Sequence, residues 1–330
     1  MIRLSAVLSI LLIITSSTFA SPLTENPSSC FTGKYETRET YLTAMQKVMK
    51  GEVNKDQKEK IAARYAHWKK VDSDKVSCQF FTYRVDDIPV TGFILKPRDM
   101  KEADLLPVIF NRGGNADNAI ETPYLYDKLA PLARKGFLVV GSFYRGAKIN
   151  GVASRYRLAD QFGGEDVNDV LQLIPIIDSI DGVKGKRIGM WGISRGGFMA
   201  FLAAKKSDRF SAIVADSAPV DLVAEAESTT RMDSVFETWI PRFKEHREVE
   251  LKKRSVRYWY KELNQIPLLI VHGSNDKQVS PLNILAFAQQ LQQSGYPYEL
   301  MIYHAGEHGL RGFESDVNTR VANWFKKYAH

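Results

Sequence analysis

"IGMWGISRGGFMAF", residues 188–201, is the stretch on which the fold of this chain turns. An apolar run ends at Ile193, Ser194 stands between Gly192 and Gly196 with Gly197 next, and an amphipathic segment begins at once. The first part reads as a buried strand and the last as one face of a helix. A G-x-S-x-G spacing in that context is the sequence form of a nucleophile elbow, a sharp turn that lifts the serine hydroxyl above a sheet. Glycine suits both flanks, because a side chain there would meet the adjoining strand or helix. A loose loop is the competing reading, and the order of elements on either side decides between the two.

From about residue 85 onward, strand-like and helix-like runs alternate. Short apolar runs at 90–97, 106–111, 137–144, 187–193, 211–217, 267–273 and 298–304 read as strands. Segments at 123–136, 166–180, 195–207, 281–294 and 313–329 have helical spacing. Such alternation predicts an α/β fold: a mostly parallel, doubly wound sheet covered by helices on both faces. Two regions break the rhythm. Residues 21–84 read as a charged helical extension, ahead of a catalytic domain spanning 85–330. Residues 222–264 read as a helical, lid-like insertion over the carboxyl ends of the strands, where open α/β sheets build their sites. Its aromatic residues Phe236, Trp239, Tyr258 and Trp259 are candidates for lining a pocket, although core packing is the ordinary role of most such side chains.

The chain has 330 residues, 44% of them hydrophobic and 25% charged, which suits one large globular domain or two small ones. A net charge of +7 is only mildly basic. Its densest run, 242–257, sets seven Arg and Lys against three Glu, the pattern of a solvated helix face. No recognition motif surrounds these residues, so no nucleic-acid partner is expected. Residues 1–20 carry Arg3, an apolar centre from Ala6 to Ile14 and small residues ending at Ala20, which reads as a cleaved signal peptide. The apolar part is shorter than the roughly 20 residues of a membrane span, so no stable anchor is expected after cleavage. The expected location is periplasmic or secreted, and an oxidising compartment lets the only two cysteines, Cys30 and Cys78, form a disulfide.

A serine nucleophile needs a base, and the base needs an orienting carboxylate. On α/β-hydrolase sheets they follow in the order serine, acid, histidine. Asp276 in "LLIVHGSNDKQVS" and His308 in "MIYHAGEHGL" each lie just past a strand end, which puts them on the same sheet edge as Ser194. The rivals are weaker. His304 and His272 sit at strand ends, where packed histidines are ordinary, and Asp216 and Asp221 follow the preceding strand.

Together, "FGGEDVNDV", "IGMWGISRGG", "LLIVHGSNDKQVS" and "GEHGL" resemble the catalytic domain of the prolyl oligopeptidase family of serine peptidases over about residues 85–329. The resemblance implies an α/β-hydrolase fold, a Ser194–Asp276–His308 triad, and no metal or organic cofactor. Two departures stand out. Large family members carry a β-propeller, and the roughly 60 residues between the signal segment and the hydrolase domain are too few for one. Family members also tend to have Tyr or His where "VIFNRGGN" has Arg112. One oxyanion donor is expected from the backbone N–H of Arg195; the second is either a backbone N–H at Arg112 or Gly113, or the Arg112 side chain. The expected activity is peptide-bond cleavage, with a carboxylic or carbohydrate ester hydrolase on the same triad as the alternative substrate class. A catalytically dead binding protein is disfavoured by three intact triad positions.

Overall fold

The computed structural model describes residues 24–329 except 49–52, 68, 70–74, 119–121, 150–153, 184 and 229, so the expected signal segment 1–20 lies outside the described residues. In chain order the elements begin with β1 (Glu25–Ser29), α1 (Arg38–Val48), α2 (Lys55–His67), β2 (Val76–Val85), β3 (Ile88–Pro97), β4 (Leu106–Asn111), α3 (Thr122–Ala133) and β5 (Phe137–Ser142). There follow α4 (Val167–Leu171), α5 (Leu173–Asp178), β6 (Ile188–Ile193), α6 (Arg195–Lys206), β7 (Phe210–Asp216), α7 (Leu222–Ser228), α8 (Thr230–Trp239) and α9 (Phe243–Arg254). The chain ends with β8 (Leu268–Gly273), α10 (Pro281–Gln293), β9 (Tyr298–Tyr303) and α11 (Glu314–Tyr328).

Nine strands form one sheet in the order β1-β2-β3-β5-β4-β6-β7-β8-β9. Neighbouring pairs from β5 through β9 are parallel, and β1, β2 and β3 add an antiparallel margin. The continuous apolar runs follow from burial on both faces, since successive side chains point to opposite sides. Ile109, Val140, Met190, Ile213 and Ile270 enter one core with residues of α4, α6 and α10. Their neighbours Val108, Val139, Trp191, Val214 and Leu269 enter the other core with residues of α3 and α11.

This is the α/β-hydrolase arrangement. The connection after β4 packs α3 on one face, and the connection after β5 packs α4 and α5 on the other. The winding therefore reverses at β4, which opens a crevice beyond the carboxyl ends of β4 and β6. Gly113 follows the first of these strands and Ser194 the second.

Three expectations change in detail. Residues 21–84 are not a purely helical extension: β1 and β2 belong to the sheet, and position 85 falls within a hairpin. There β2 pairs with β3 from Val76↔Pro97 to Val85↔Ile88. "VSCQFFTYRV" alternates burial with the period of a strand over Val76–Cys78 and, on the other face, over Phe81–Val85, a signal masked by the charged helices before it. The helix expected over 166–180 is two short helices, because Pro175 offers no N–H to continue the ladder from α4. The strand expected over 137–144 ends at Ser142, releasing Phe143 and Tyr144 into the loop beneath the site. Among the described residues no helix is long and apolar enough to cross a membrane.

Cys30 and Cys78 form a disulfide across 48 residues of chain. It fastens the end of β1 to β2, where the Cys30 N–H also donates to the Cys78 carbonyl (3.0 Å). The bridge encloses a cluster of tyrosines, Tyr35, Tyr41 and Tyr65, that docks the helices α1 and α2 on the α3 side of the sheet. A Cys30→Ser/Cys78→Ser variant is expected to lose about 4 kcal/mol of unfolding free energy on chain-entropy grounds. Equilibrium urea denaturation measures this, and an unchanged midpoint would show that the bridge adds nothing.

Candidate active site

Ser194 has φ 53° and ψ −125°, a backbone conformation that costs an ordinary residue of order 1–3 kcal/mol. The surroundings hold it there. Its N–H donates to the Asp216 carbonyl (2.8 Å), fixing the turn to the end of β7. A Cβ on Gly192 would stand 2.1 Å from the Gly196 carbonyl oxygen, and one on Gly196 would stand 2.0 Å from that of Asn111. Both glycines are therefore required by backbone atoms that cannot step aside. The first turn of α6 begins directly beneath the serine, so its unpaired N–H groups and positive dipole end face the reacting centre.

Asp276 and His308 meet at this edge. His308 Nδ1 lies 2.8 Å from Asp276 Oδ2, and the other carboxylate oxygen accepts the N–H groups of Gln278 (2.8 Å) and Val279 (3.0 Å). Burial favours the neutral acid, but the bonds from His308 and the two amides outweigh it and hold the carboxyl below its ordinary value. An ionised Asp276 accepts the Nδ1–H hydrogen bond, which keeps the proton on Nδ1 and leaves the Nε2 lone pair free. Ser194 and His308 both line one cavity of about 1120 Å³, whose walls come from the β4 loop, the helical insertion and the β8 and β9 loops.

The rivals are otherwise engaged. Buried His272 donates from Nε2 to the Val279 carbonyl (3.1 Å), and its burial disfavours the cation. Asp216 pairs with Lys128 (3.2 Å), Asp221 pairs with Arg257 (2.8 Å), and His304 is exposed. Of the four aromatic candidates in the insertion, Phe236 lines the cavity, whereas Trp239 and Trp259 are buried elsewhere and Tyr258 is half exposed. Among the described residues no group of three or more His, Cys, Asp and Glu is placed to hold a metal ion.

The β4 loop bears on the oxyanion question. Arg112 is buried, and its guanidinium donates to the carbonyls of Phe143 (2.8 Å), Gly113 (2.9 Å) and Asn115 (3.2 Å) while lying over the Tyr144 ring. That side chain is a brace for the loop. The Tyr144 hydroxyl donates to the Arg112 carbonyl (3.1 Å), and in a trans peptide this turns the Gly113 N–H to the opposite side. Gly113 is also close to Ser194: a Cβ on it would sit 3.1 Å from Ser194 Cβ. The geometry thus favours the Gly113 N–H, paired with that of Arg195, over the Arg112 side chain.

Four side chains of the site escaped the sequence. The Arg195 side chain folds under the loop, donating to the Gly114 carbonyl (3.0 Å) and to Asp160 (2.7 and 2.8 Å), and pairing with Asp166. Asp160 in turn accepts the Ala116 N–H (2.7 Å), and Asp166 accepts the N–H groups of Gly163 and Gly164. Two buried arginines, Arg112 and Arg195, thus face two buried aspartates across Tyr144, and burial with Arg195 nearby lowers Arg112 to about 10. The remaining element is Ser217, whose hydroxyl donates to Asp216 Oδ1 (3.1 Å) and accepts the Gly309 N–H (3.0 Å), next to His308. Only "FGGED" hinted at any of this.

The prolyl oligopeptidase family profile matches residues 123–330. The chain is 24% identical over 258 residues to a Bacillus subtilis protein named "Uncharacterized peptidase YtmA", covering 77% of this chain and 95% of that one. It is 24% identical over 222 residues to the dipeptidyl-peptidase 5 of Porphyromonas gingivalis, covering 66% of this chain and about a third (32%) of that one. Among solved structures it is similar to a Pyrococcus horikoshii acylaminoacyl peptidase, with TM-score 0.65, 23% identity, and coverage of 80% of this chain and 44% of that one. That likeness shows the shared fold.

Two variants probe the bracing. Arg112→Lys keeps the charge but cannot reach three carbonyls, so the loop shifts and kcat falls by up to about 10²-fold, the cost of an ångström of misplacement. Ser217→Ala frees the His308 loop and lowers kcat with little change in KM. Steady-state kinetics on one neutral substrate checks both; wild-type rates would refute the bracing roles.

Proposed function

This chain belongs to the prolyl oligopeptidase family and is a serine peptidase, and from that premise we propose that it cleaves peptide bonds through Ser194, His308 and Asp276. Ser194 Oγ attacks the scissile carbonyl carbon while His308 Nε2 takes its proton. The carbonyl oxygen becomes an oxyanion, held by the N–H groups of Arg195 and Gly113. Collapse breaks the C–N bond, His308 returns the proton to the leaving amine, and an acyl-enzyme remains. Water, deprotonated by His308, then attacks the ester and releases Ser194.

The observation that carries this reading is the His308 Nδ1–Asp276 Oδ2 bond of 2.8 Å, within a cavity that Ser194 also lines. A carboxylate held ionised fixes the tautomer and stabilises the imidazolium that forms during attack. The same reading places the mature chain in a periplasmic or secreted setting, which the Cys30–Cys78 disulfide supports. Residues 222–264 serve as a cover over the acyl side of the cavity, since Leu222, Met232, Val235 and Phe236 contribute to its wall.

A fluorophosphonate is expected to label the wild-type chain at Ser194 and to leave a folded Ser194→Ala variant unlabelled. Asp276→Asn is expected to lower kcat by roughly 10⁴, the loss that accompanies the wrong imidazole tautomer. Turnover of N-blocked aminoacyl-anilides is expected alongside that of matched esters. Label on the alanine variant would end the nucleophile assignment, and hydrolysis confined to esters would replace the peptidase reading with an esterase.

A further inference from the structure

Glu225, in α7, is a charge the mechanism above does not use. Its carboxylate is buried, only 3% of the residue being exposed, and it lines the same cavity as Ser194 and His308. Its partners are neutral: the Ser280 N–H (3.1 Å to Oε1, 3.4 Å to Oε2) and the Asn283 side-chain amide (2.8 Å). The charges that act on it, Asp276 and Asp221, are both negative, and burial together with these raises its pKa. Among the described residues no cation pairs with it.

Three of the cations around the cavity are committed to other carboxylates. Lys128 pairs with Asp216, Arg64 with Asp127, and Arg195 with Asp160 and Asp166. Arg112 braces the β4 loop through three carbonyls, and Arg311 lines the cavity with no ion pair to Glu225 among the described residues. The same cavity is lined by the apolar Leu222, Met232, Val235, Phe236 and Val279. An apolar wall with one desolvated carboxylate suits a side chain that has a long hydrocarbon stem and a positive head.

We propose that Glu225 forms a cation subsite that selects peptide substrates carrying a lysine or arginine side chain on the acyl side of the scissile bond. The proposal rests on the serine-peptidase reading. The substrate's cation supplies the partner that Glu225 lacks, and its methylenes cover the apolar side chains beside it. A free α-ammonium at the substrate N-terminus offers the same chemistry without the stem, so the two sources separate experimentally.

The test compares kcat/KM for three anilides: N-blocked Arg, N-blocked Leu, and Leu with a free N-terminus. The wild-type enzyme is expected to favour blocked Arg over blocked Leu. Glu225→Gln keeps an oxygen that accepts the Ser280 and Asn283 bonds and removes only the charge. It is expected to lower kcat/KM for blocked Arg by roughly 10- to 100-fold, the worth of a charge-assisted bond, with blocked Leu nearly unchanged. Loss confined to the free-amine substrate would overturn the side-chain assignment. No wild-type preference for Arg, or an equal loss on all three substrates, would reduce Glu225 to a structural brace. Should the variant not fold, benzamidine serves on the wild type: it is expected to compete with blocked Leu anilide, whereas uncharged benzamide does not. Equal inhibition by the two would refute the subsite. Fluorophosphonate labelling and turnover of blocked Leu report separately on the serine-peptidase reading, so either proposal can fail alone.

Discussion

The left-handed backbone of Ser194 is the constraint on which the rest of the site depends. A non-glycine residue at φ 53° persists only where its neighbours leave it no alternative. Here β6 arrives from below, α6 departs at once, and the Asp216 carbonyl takes the serine N–H. The flanking glycines let the three chain segments approach to within backbone contact. Strain at this one residue is offset by a core that is packed on both faces of the sheet. It leaves the hydroxyl at the crevice where the winding reverses.

The floor of that crevice is ionic. Arg112, Arg195, Asp160 and Asp166 are all buried, and their formal charges cancel. Removing one partner would strand a desolvated charge, a cost of several kcal/mol, so the four behave as a unit. Their geometry fixes loop carbonyls: those of Gly113, Gly114, Asn115 and Phe143 are all held by guanidinium nitrogens. A loop whose carbonyls are held turns its amides in set directions. In this way buried charges define where the Gly113 N–H faces.

A second brace joins Ser194 to the loop that carries His308. Asp216 and Ser217 are consecutive, and the first supplies the carbonyl that holds Ser194 while the second supplies the hydroxyl that holds the loop of His308. Lys128, lying over Trp191, neutralises the Asp216 carboxylate from within the core. The position that offered a rival acid in the sequence is therefore a scaffold. It sits one strand away from Asp276 and looks toward a lysine, not toward the imidazole.

The sequence by itself determined the α/β-hydrolase class, the parallel core of the sheet and the elbow at Ser194. These rest on local periodicity and on glycines at fixed spacing, both written in consecutive residues. It also placed Asp276 and His308 on neighbouring loops, since strand ends at one edge of a parallel sheet follow from element order alone. It did not reveal that β1 and β2 join the sheet, because β1 meets β2 only beyond the charged helices between them and the β2–β3 hairpin follows directly on those helices. Nor did it reveal that Arg112 braces a loop, that Arg195 faces Asp160 and Asp166, or that Ser217 reaches Gly309. Those contacts span roughly 30 to 90 residues of chain, and an arginine's role is set by which carbonyls and carboxylates the fold brings to it. Tertiary structure decided them because desolvation and hydrogen-bond direction exist only once distant segments are packed together.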